Sequence, residues 1–583
     1  MHICYLYIYD YGVLKNIGLT FDNRYVFRME DDTLHIESSK YPLPKNFWGS
    51  GIYSLTGIIG ENGAGKTTAL RLMKKLFVEG EPRDTGVDVL IVYESNGELL
   101  IFNPKGTSVS IEPGLKIKPL SERHHIETFY YSGHFQPYTG ADGEMELAGS
   151  YDASDSWLLV RDLTDYSNVD SIHLGEPIYN YLSAYSAQNN YRICEVLILD
   201  GIDQLLHSYR FPKYVFIAPN LGGLNAIKLD RRGRFSNVAI PKEKFISSGK
   251  KEKALERIIY YNIINLIAEE KVDTEQAISF LSVWLDKEKN GDLAGNFRAA
   301  VEEINCSERD KEYLRSVAVV VSKIAELCEC DPQWGTLYID IKRDADKVRH
   351  LVADILRKHF FLTAKFFDIY YGHELFGSQR LSSGELEMLN LLSRIYYGIT
   401  LLPQKDENKK SPRLLLLDEA EIGFHPDWQR QYVKILTEFM GYMMVKAGID
   451  FQIVITSHSP IILSDFPVDC VNFLHREGNT TYLETGESQT FGENVFQLYN
   501  RAFFMKDGLV GEFAMDKLKC IQDNISDLGN SEIDKLIAII GDERIKRYLL
   551  DLREKERTKE MAEDEMIRYY QSRIEELKRR THE

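Results

Sequence analysis

Hydrophobic and polar positions alternate over roughly the first 80 residues, up to "GIYSLTGIIG" (51–60), which predicts short strands. The segment "KTTALRLMKKLF" (66–77) then changes to helical spacing. Further strand-like runs follow, and "IETFYYSGHFQPY" (126–138) predicts a strand that runs into a loop. Residues 1–145 are therefore expected to form the N-terminal part of an α/β head.

The pattern changes in the middle of the chain. Long amphipathic segments such as "KALERIIYYNIINLIAEE" place apolar residues at helical spacing, so residues 146–370 are expected to form a mainly helical insertion. Short, fully apolar runs return in 371–500, namely "RLLLLDE" and "FQIVITSHS", and they are typical of buried parallel strands. Residues 501–583 again have a helical pattern. The predicted fold class is α/β, a split head with a compact helical insertion and a helical C-terminal tail.

Composition narrows the class of protein. A chain of 583 residues with 44% hydrophobic residues is long enough for two to four domains with a large core. No stretch approaches the roughly 20 apolar residues of a membrane helix. The N-terminal "MHICYLYIYDYG" lacks the basic start and cleavage site of a signal peptide, so a cytoplasmic protein is expected. The formal charge of −18 argues against nucleic-acid binding by overall charge, but it leaves a local basic groove open.

The seven cysteines are scattered along the chain. Only Cys328 and Cys330 are close, and their one-residue separation does not suit a zinc knuckle. Reduced, buried thiols are therefore favoured over a metal site or a disulfide.

One glycine-rich segment carries a nucleotide-binding pattern. "GENGAGKTT" (60–68) matches G-x-x-x-x-G-K-[ST], follows an apolar strand and opens a helix. Lys66 is expected to reach the β- and γ-phosphates of ATP, and Thr67 to bind Mg²⁺, with the helix N-terminus adding positive charge. A glycine-rich turn with a chance lysine is the alternative. The predicted nucleotide contacts are Gly60, Asn62, Gly63, Gly65, Lys66, Thr67 and Thr68.

The stretch "LLLLDEAEIGFHPDWQR" (414–430) ends a leucine run on two carboxylates. It is either the end of an amphipathic helix or a buried strand that delivers acids to a site. Pro412 precedes the run, which is too short for a free-standing helix, so a strand is favoured. With a P-loop in the chain, Asp418 is expected to serve Mg²⁺, and Glu419 to orient or deprotonate the attacking water.

Two further segments fit the same site. In "RLSSGELEMLNLLSRI" (380–395), Ser382 and Gly384 belong to a stretch that resembles the LSGGQ signature of ABC-type ATPases, although Ser-Ser-Gly is also a common helix cap. In "IVITSHSPIIL", His458 closes an apolar strand and resembles the switch histidine of that family, although a lone histidine after a strand is usually structural. Gln136 is a candidate for the glutamine that senses Mg²⁺ and water.

The order of these motifs resembles the SMC/RecF/Rad50 branch of the ABC ATPases, whose head is split by an insertion. His425 and Pro426 match the "HP" of the D-loop in that branch. The 146–370 segment has no sustained heptads, so a compact lobe is expected instead of a coiled coil. The resemblance implies ATP and Mg²⁺ as cofactors. It also implies a homodimer, and a higher homo-oligomer, in which Ser382 and Gly384 face the ATP of the other subunit.

Within this branch the chain looks most like the ATPases of bacterial anti-phage defence, above all the PtuA type of Septu and Septu-containing retron systems. That resemblance implies a separate HNH nuclease as partner and, in some retrons, a reverse transcriptase with its multicopy single-stranded DNA. It implies no membrane partner. About 120 residues follow His458 without an acidic nuclease cluster, so no nuclease is expected in this chain.

Two segments are candidate partner surfaces. Residues 228–253 contain nine lysines or arginines against three acidic residues, which indicates either a nucleic-acid or acidic-partner surface or a solvated loop. The tail "EMAEDEMIRYYQSRIEELKRR" places Ile567, Tyr570, Ile574 and Leu577 on one helix face. Self-association, a partner nuclease and docking on the chain's own head are all open for that stripe.

These features predict an ATPase, slow if it acts as a regulator, that controls an effector nuclease through ATP-dependent head dimerisation. A RecF- or Rad50-like repair ATPase that acts directly on DNA is the alternative. A scaffold with a permanently bound nucleotide is a second one.

Overall fold

A computed structural model of the protein describes residues 1–77, 87–134, 150–164, 177–219, 250–268, 293–304, 307–356, 367–375, 380–401, 412–478, 480–484, 489–502, 511–523, 535, 537–559 and 563–580. The chain divides into two compact units, Met1–Phe503 and Phe504–Glu583.

The first unit contains all of the described strands. In chain order they are β1 His2–Tyr11, β2 Leu14–Thr20, β3 Tyr25–Glu30, β4 Thr33–Ser38, β5 Ile52–Gly60, β6 Val89–Ser95, β7 Glu98–Phe102, β8 Ser108–Ile111, β9 Ile117–Leu120, β10 Thr128–Ser132, β11 Ser150–Asp152, β12 Tyr214–Pro219, β13 Glu329–Cys330, β14 Leu337–Asp340, β15 Phe367–Gly372, β16 Arg413–Asp418, β17 Phe451–Ser457, β18 Val471–Glu477 and β19 Thr480–Glu484.

Helices occur in both units. Those of the first unit are α1 Lys66–Phe77, α2 Asp155–Thr164, α3 Pro177–Leu197, α4 Ile202–Leu205, α5 Lys251–Ala268, α6 Leu293–Glu303, α7 Glu308–Leu327, α8 Ala345–His350 continued by a π-helical segment Leu351–Leu356, α9 Ser383–Leu401, α10 Pro426–Ala447, α11 Pro460–Leu463, a 3₁₀ turn Val468–Cys470 and α12 Val495–Ala502. Those of the second unit are α13 Glu512–Asp523, α14 Glu543–Lys559 and α15 Glu563–Arg580.

A seven-stranded sheet of order β11-β10-β16-β17-β5-β18-β19 forms the centre of the first unit. All neighbouring strands in it are parallel except β18 and β19. Because both faces of β16 and β17 are covered, these strands are buried along their whole length. The leucine run 414–417 is therefore a buried strand and not a helix, as the sequence favoured.

Successive leucines of β16 point into different cores. Leu414 and Leu416 pack in a cluster with α1 and the N-terminal strands. Leu415 and Leu417 pack in a second cluster with α9 and α10. This alternation is the period-two geometry of a strand, and it places helices on both faces of the sheet. The predicted α/β fold class is confirmed by this architecture.

The remaining strands form smaller sheets. One has the order β2-β1-β6-β7-β9, another β3-β4-β8, and a third β13-β14-β12-β15. The third is antiparallel and lies within and just beyond residues 146–370, a region that was expected to be mainly helical. Strand β12 in its centre is short and apolar, and sequence periodicity does not separate such a run from a buried helical segment.

The second unit has a small core of its own. Ile521, Ile537 and Leu549 are buried there. On α15 the side chains of Ile567, Tyr570 and Ile574 are about half exposed within the structure. The side chain of Leu577, the fourth member of the predicted stripe, lies outside the described residues.

The basic segment predicted as a partner surface lies mostly outside the described residues, and Cys306 lies outside them as well. Only the last four residues of the segment 228–253, at the start of α5, are described. The described cysteines are all free thiols, and they are buried or half-buried except for the exposed Cys520. The expectation of buried thiols is therefore wrong at that position.

Candidate nucleotide-binding site

The phosphate loop joins the end of β5 to the start of α1. Gly63 and Gly65 have φ angles of 76° and 92°, a left-handed backbone that residues with side chains rarely adopt. A Cβ at Gly65 would also lie 2.8 Å from Leu14 Cδ2. The loop thus depends on glycine at these positions, as a phosphate cradle at a helix N-terminus requires. It brings together the predicted residues Gly60, Asn62, Gly63, Gly65, Lys66, Thr67 and Thr68.

Lys66 lies over this loop. Its Nζ donates to the carbonyl oxygens of Gly60 and Glu61, at 3.1 Å each. Burial lowers the pKa of Lys66, while the nearby carboxylates of Glu419 and Asp418 raise it. An ammonium group that holds only carbonyl oxygens can exchange them for the stronger charge-assisted bonds of a phosphate.

Asp418 ends β16 and is completely buried. Its Oδ1 accepts hydrogen bonds from Thr67 Oγ1 at 3.2 Å and from Thr456 Oγ1 at 2.6 Å. Its Oδ2 accepts one from the hydroxyl of Tyr130 at 3.2 Å. The parallel register explains this convergence, because Ser132, Asp418 and Thr456 are direct neighbours on β10, β16 and β17. The carboxylate is therefore fixed by groups from α1 and from both adjacent strands.

Glu419 turns away from the strand with a φ of 47°. His458 Nε2 lies 3.0 Å from its Oε1, and His134 Nε2 lies 2.7 Å from its Oε2. Burial, the largest effect, raises the pKa of the Glu419 carboxyl, but the hydrogen bonds from His458 and His134 outweigh it and lower the pKa to about 2. Glu419 is therefore a carboxylate held between two imidazoles at the mouth of the site.

A second glutamate lies behind the first. Glu421 is 5% exposed and accepts a hydrogen bond from the hydroxyl of Ser457. Burial raises the pKa of the Glu421 carboxyl to about 7. Among the described atoms, its Oε2 has no hydrogen-bond partner. Ser457 Oγ also accepts from the backbone N–H of Ser459, so Glu421 supports the turn that carries His458.

The signature-like residues lie in a different setting. Ser382 precedes α9 and forms a capping box with Glu385: its backbone N–H donates to Glu385 Oε2 at 2.7 Å, and its Oγ accepts from Glu385 N–H at 3.3 Å. A Cβ at Gly384 would lie 2.5 Å from Trp428 Cδ1, at the start of α10. These contacts tie the signature segment to the α10 start, and they do not include the phosphate loop. The side chains of Ser382 and His425 are exposed.

Sequence reasoning missed several residues of this site. Gln136 lies outside the described residues, whereas His134, two positions earlier in the same loop, contacts Glu419. Tyr130, Thr456 and Glu421 were not singled out either. Each is a single residue at or near the end of a strand, and no spacing rule marks such a residue. The sequence did offer one indication. The carboxyl ends of parallel strands meet at the same edge of a sheet, so residues at those ends are candidates for the site.

The donor set fits a magnesium ion and a triphosphate. Thr67 and Asp418 present two oxygen atoms at one point, and Mg²⁺ prefers oxygen ligands from one or two protein groups together with phosphates. A glycine loop and a lysine lie directly beside them. The residues present are thus chemically suited to Mg²⁺ and ATP.

Comparison with known proteins agrees with this geometry. Residues 339–464 match the family described as "AAA domain, putative AbiEii toxin, Type IV TA system". The matched segment runs from β14 to the end of α11 and contains Asp418, Glu419 and His458. Together with the phosphate loop, it shows that the chain contains an ATPase domain similar to that family.

Two individual similarities are more distant. Protein ea59 of Escherichia phage lambda is 24% identical over 187 residues, which are 32% of this chain and 28% of the phage protein. The match thus spans less than a third of that relative's length. A structure of the recombination mediator protein RecF in the RecFOR pathway covers 83% of this chain and 98% of its own, at 13% identity and a TM-score of 0.21.

A helix that crosses a bilayer needs about 20 predominantly apolar residues. In the described part of the chain, no helix is both long and apolar enough to span a membrane.

Proposed function

We propose that this chain hydrolyses ATP with Mg²⁺ and uses the nucleotide cycle to switch an effector nuclease in bacterial anti-phage defence. The single observation that carries the ATPase part is the meeting of Asp418, Thr67 and Glu419 at the end of β5 and β16, beside Lys66. A metal ligand pair, a phosphate-binding lysine and a carboxylate base are the parts that phosphoryl transfer to water requires.

The buried groups position the nucleotide. Lys66 and the loop amides would hold the phosphates, and Thr67 and Asp418 would hold the metal. When bound, Mg²⁺ neutralises charge on the phosphates and orients them for in-line attack. Tyr130 and Thr456 keep Asp418 in one orientation, so that the metal ligand does not have to be ordered during the reaction.

Glu419 would orient the attacking water and accept its proton. A carboxylate with a pKa of about 2 is always ionised but is a weak base, so proton transfer to it is slow. A bond from His458 to a phosphate in place of Glu419 would free one carboxylate oxygen and raise its basicity. This arrangement suits a regulator, which needs an occupied site more than rapid turnover.

We propose further that two heads close on ATP. The exposed Ser382 and the start of α9 would then face the phosphates held by a second copy, since the contacts described for this segment lead to Glu385 and Trp428 and leave the Ser382 side chain exposed. His425 and Gly423 lie on the turn between Glu419 and α10, so a second subunit that touches this turn is linked directly to the catalytic carboxylate.

The defence role rests on similarity. The motif sequence resembles PtuA-type ATPases, the description of the matched family reads "putative AbiEii toxin, Type IV TA system", and a phage protein is similar to part of the chain. We therefore propose a separate HNH nuclease as the effector, and in retron systems a reverse transcriptase with its single-stranded DNA. The half-exposed stripe on α15 is a candidate contact for such a subunit.

The decisive test compares wild type with Glu419→Gln in ATP and Mg²⁺. The variant should bind ATP, hydrolyse it at least about 100-fold more slowly and accumulate as a dimer in light scattering. Lys66→Ala is the matched control, which should neither bind ATP nor dimerise. Wild-type hydrolysis by Glu419→Gln would refute the catalytic assignment. ATP-dependent DNA binding by the purified chain alone, without any nuclease, would favour the repair ATPase instead.

A further inference from the structure

A second cluster of reactive side chains lies in the N-terminal sheet, and none of its residues belongs to the phosphate loop. His2 and Cys4 are two residues apart on β1, where the register with β6 shifts at Cys4, and Cys4 Sγ lies 3.6 Å from His2 Nε2. Asp22 follows β2 in the next turn. The three side chains are buried, and the donor atoms His2 Nε2, Cys4 Sγ and an Asp22 carboxylate oxygen all lie within 4.8 Å of one another.

We infer that His2, Cys4 and Asp22 form a transition-metal site, with Zn²⁺ as the ion that fits best. The imidazole nitrogen lies 3.0 Å from Asp22 Oδ2, and the thiol sulfur lies 3.6 Å from both. Zinc bonds of about 2.0–2.3 Å at tetrahedral angles separate neighbouring ligand atoms by about 3.3–3.6 Å. The two distances from the sulfur match this spacing, whereas the nitrogen–oxygen distance is shorter than it.

Glu94 is the candidate fourth ligand, but its carboxylate lies outside the group of atoms within 4.8 Å of one another, so its side chain would have to move to complete a tetrahedron. It is the direct partner of His2 across the β1–β6 ladder, and its Oε2 lies 3.6 Å from His2 Nε2. A set of one sulfur, one nitrogen and two oxygens selects zinc or a similar ion over Mg²⁺, because thiolate and imidazole are poor magnesium ligands. The site would therefore not compete with the phosphate loop for the same metal.

Arg24 holds this cluster together in the structure. Its Nη2 donates to Asp22 Oδ2 at 2.6 Å and to Glu94 Oε2 at 2.8 Å, and lies 3.1 Å from His2 Nε2. The guanidinium thus takes the place of a metal ion toward three of the four proposed ligands. Cys4 is not among the groups it contacts, so the arginine network does not account for the placement of the thiol.

Exchange of Arg24 for a metal ion is sterically possible. Its side chain is 40% exposed, and it lines a cavity of about 670 Å³ together with Asp22 and Tyr53. Asp22 and Glu94 exceed Arg24 by one negative charge. With Arg24 displaced, a divalent ion bound by both carboxylates and the Cys4 thiolate also leaves one net negative charge, so the exchange does not change the net charge of the cluster.

The test uses the full chain with a free N-terminus and a C-terminal tag, in excess Mg²⁺ to occupy oxygen sites. Titration with Co²⁺ should give a thiolate-to-cobalt absorption band at one equivalent, and Zn²⁺ should abolish it. Cys4→Ser should remove the band and weaken metal binding by more than about 100-fold. Cys194→Ser, at another buried cysteine, is the control and should keep the band.

Arg24→Met provides a second, independent measurement. Removal of the competing guanidinium should tighten Co²⁺ binding by about 10-fold or more. A wild-type chain without the cobalt band would refute the site whether or not the variants fold. Weaker or unchanged binding by folded Arg24→Met would overturn the proposed exchange and leave a purely ionic cluster.

Discussion

The two sides of the β16 strand end carry glutamates with opposite properties. On the side that opens to the phosphate loop, Glu419 receives hydrogen bonds from two histidines, and its pKa falls to about 2. On the other side, Glu421 is enclosed by the protein, and burial raises its pKa to about 7. Desolvation is the largest single effect on both groups. The difference therefore comes from the donors, because a buried carboxylate stays ionised only where cationic or hydrogen-bonding groups surround it.

Glu419 and Glu421 therefore have different tasks, although they lie in the same short segment. Glu419 is kept charged and partly accessible, as a group that handles water must be. Glu421 is buried, and its raised pKa favours the uncharged form. It accepts a hydrogen bond from the Ser457 hydroxyl and so supports the turn before His458. Two residues of the same type, two positions apart in the sequence, are thus not interchangeable.

The largest expected effect is on turnover. Glu419→Gln should lower kcat for ATP hydrolysis by at least about 100-fold, because the general base is lost. Glu421→Gln should hydrolyse ATP at a rate close to wild type, since a neutral amide keeps the bond to Ser457. Steady-state phosphate release from both variants measures this. Equal losses of kcat would show that the two glutamates do not differ in their roles.

The next effect is on stability as a function of pH. The pKa of Glu421 is raised in the folded state, so its contribution to stability is full below pH 4.5 and is lost as the pH rises through about 7. Relative to wild type, Glu421→Gln should gain up to about 3 kcal/mol of unfolding free energy between pH 5 and pH 8. Denaturant unfolding of both proteins across that range checks this. A difference that does not change with pH would contradict the buried, raised carboxyl.

The smallest effect concerns the donors of Glu419. With His134 and His458 both changed to alanine, the pKa of Glu419 should return toward 4.5, so its ionised fraction falls on acidification instead of staying constant. Residual kcat should therefore drop about twofold between pH 7 and pH 4.5 beyond any drop in the wild type. His350→Ala, an exposed histidine on α8, is the control. Parallel pH profiles in all three proteins would show that the histidines do not set this pKa.

Short sequence patterns were sufficient to predict the helices and strands that carry the motifs. The glycine loop, the helix that starts at Lys66 and the buried strand that ends at Asp418 each follow from a short stretch of sequence. The order of motifs also indicated that Glu419 and His458 belong together, and the structure places them in contact. The antiparallel sheet around β12 did not follow, because a short apolar run has no period that separates strand from buried helix.

The sequence by itself determined the composition of the nucleotide site, since glycines at fixed positions and acids after an apolar run have few other uses. Only the tertiary structure decided which isolated residues join it. His134 and Tyr130 reach the carboxylates because β10 lies beside β16 in a register that no local pattern encodes. The same holds for His2, Cys4, Asp22 and Glu94, which meet through strand pairing and one turn. Register depends on contacts between distant segments, and those contacts set the pKa of each glutamate at the end of β16.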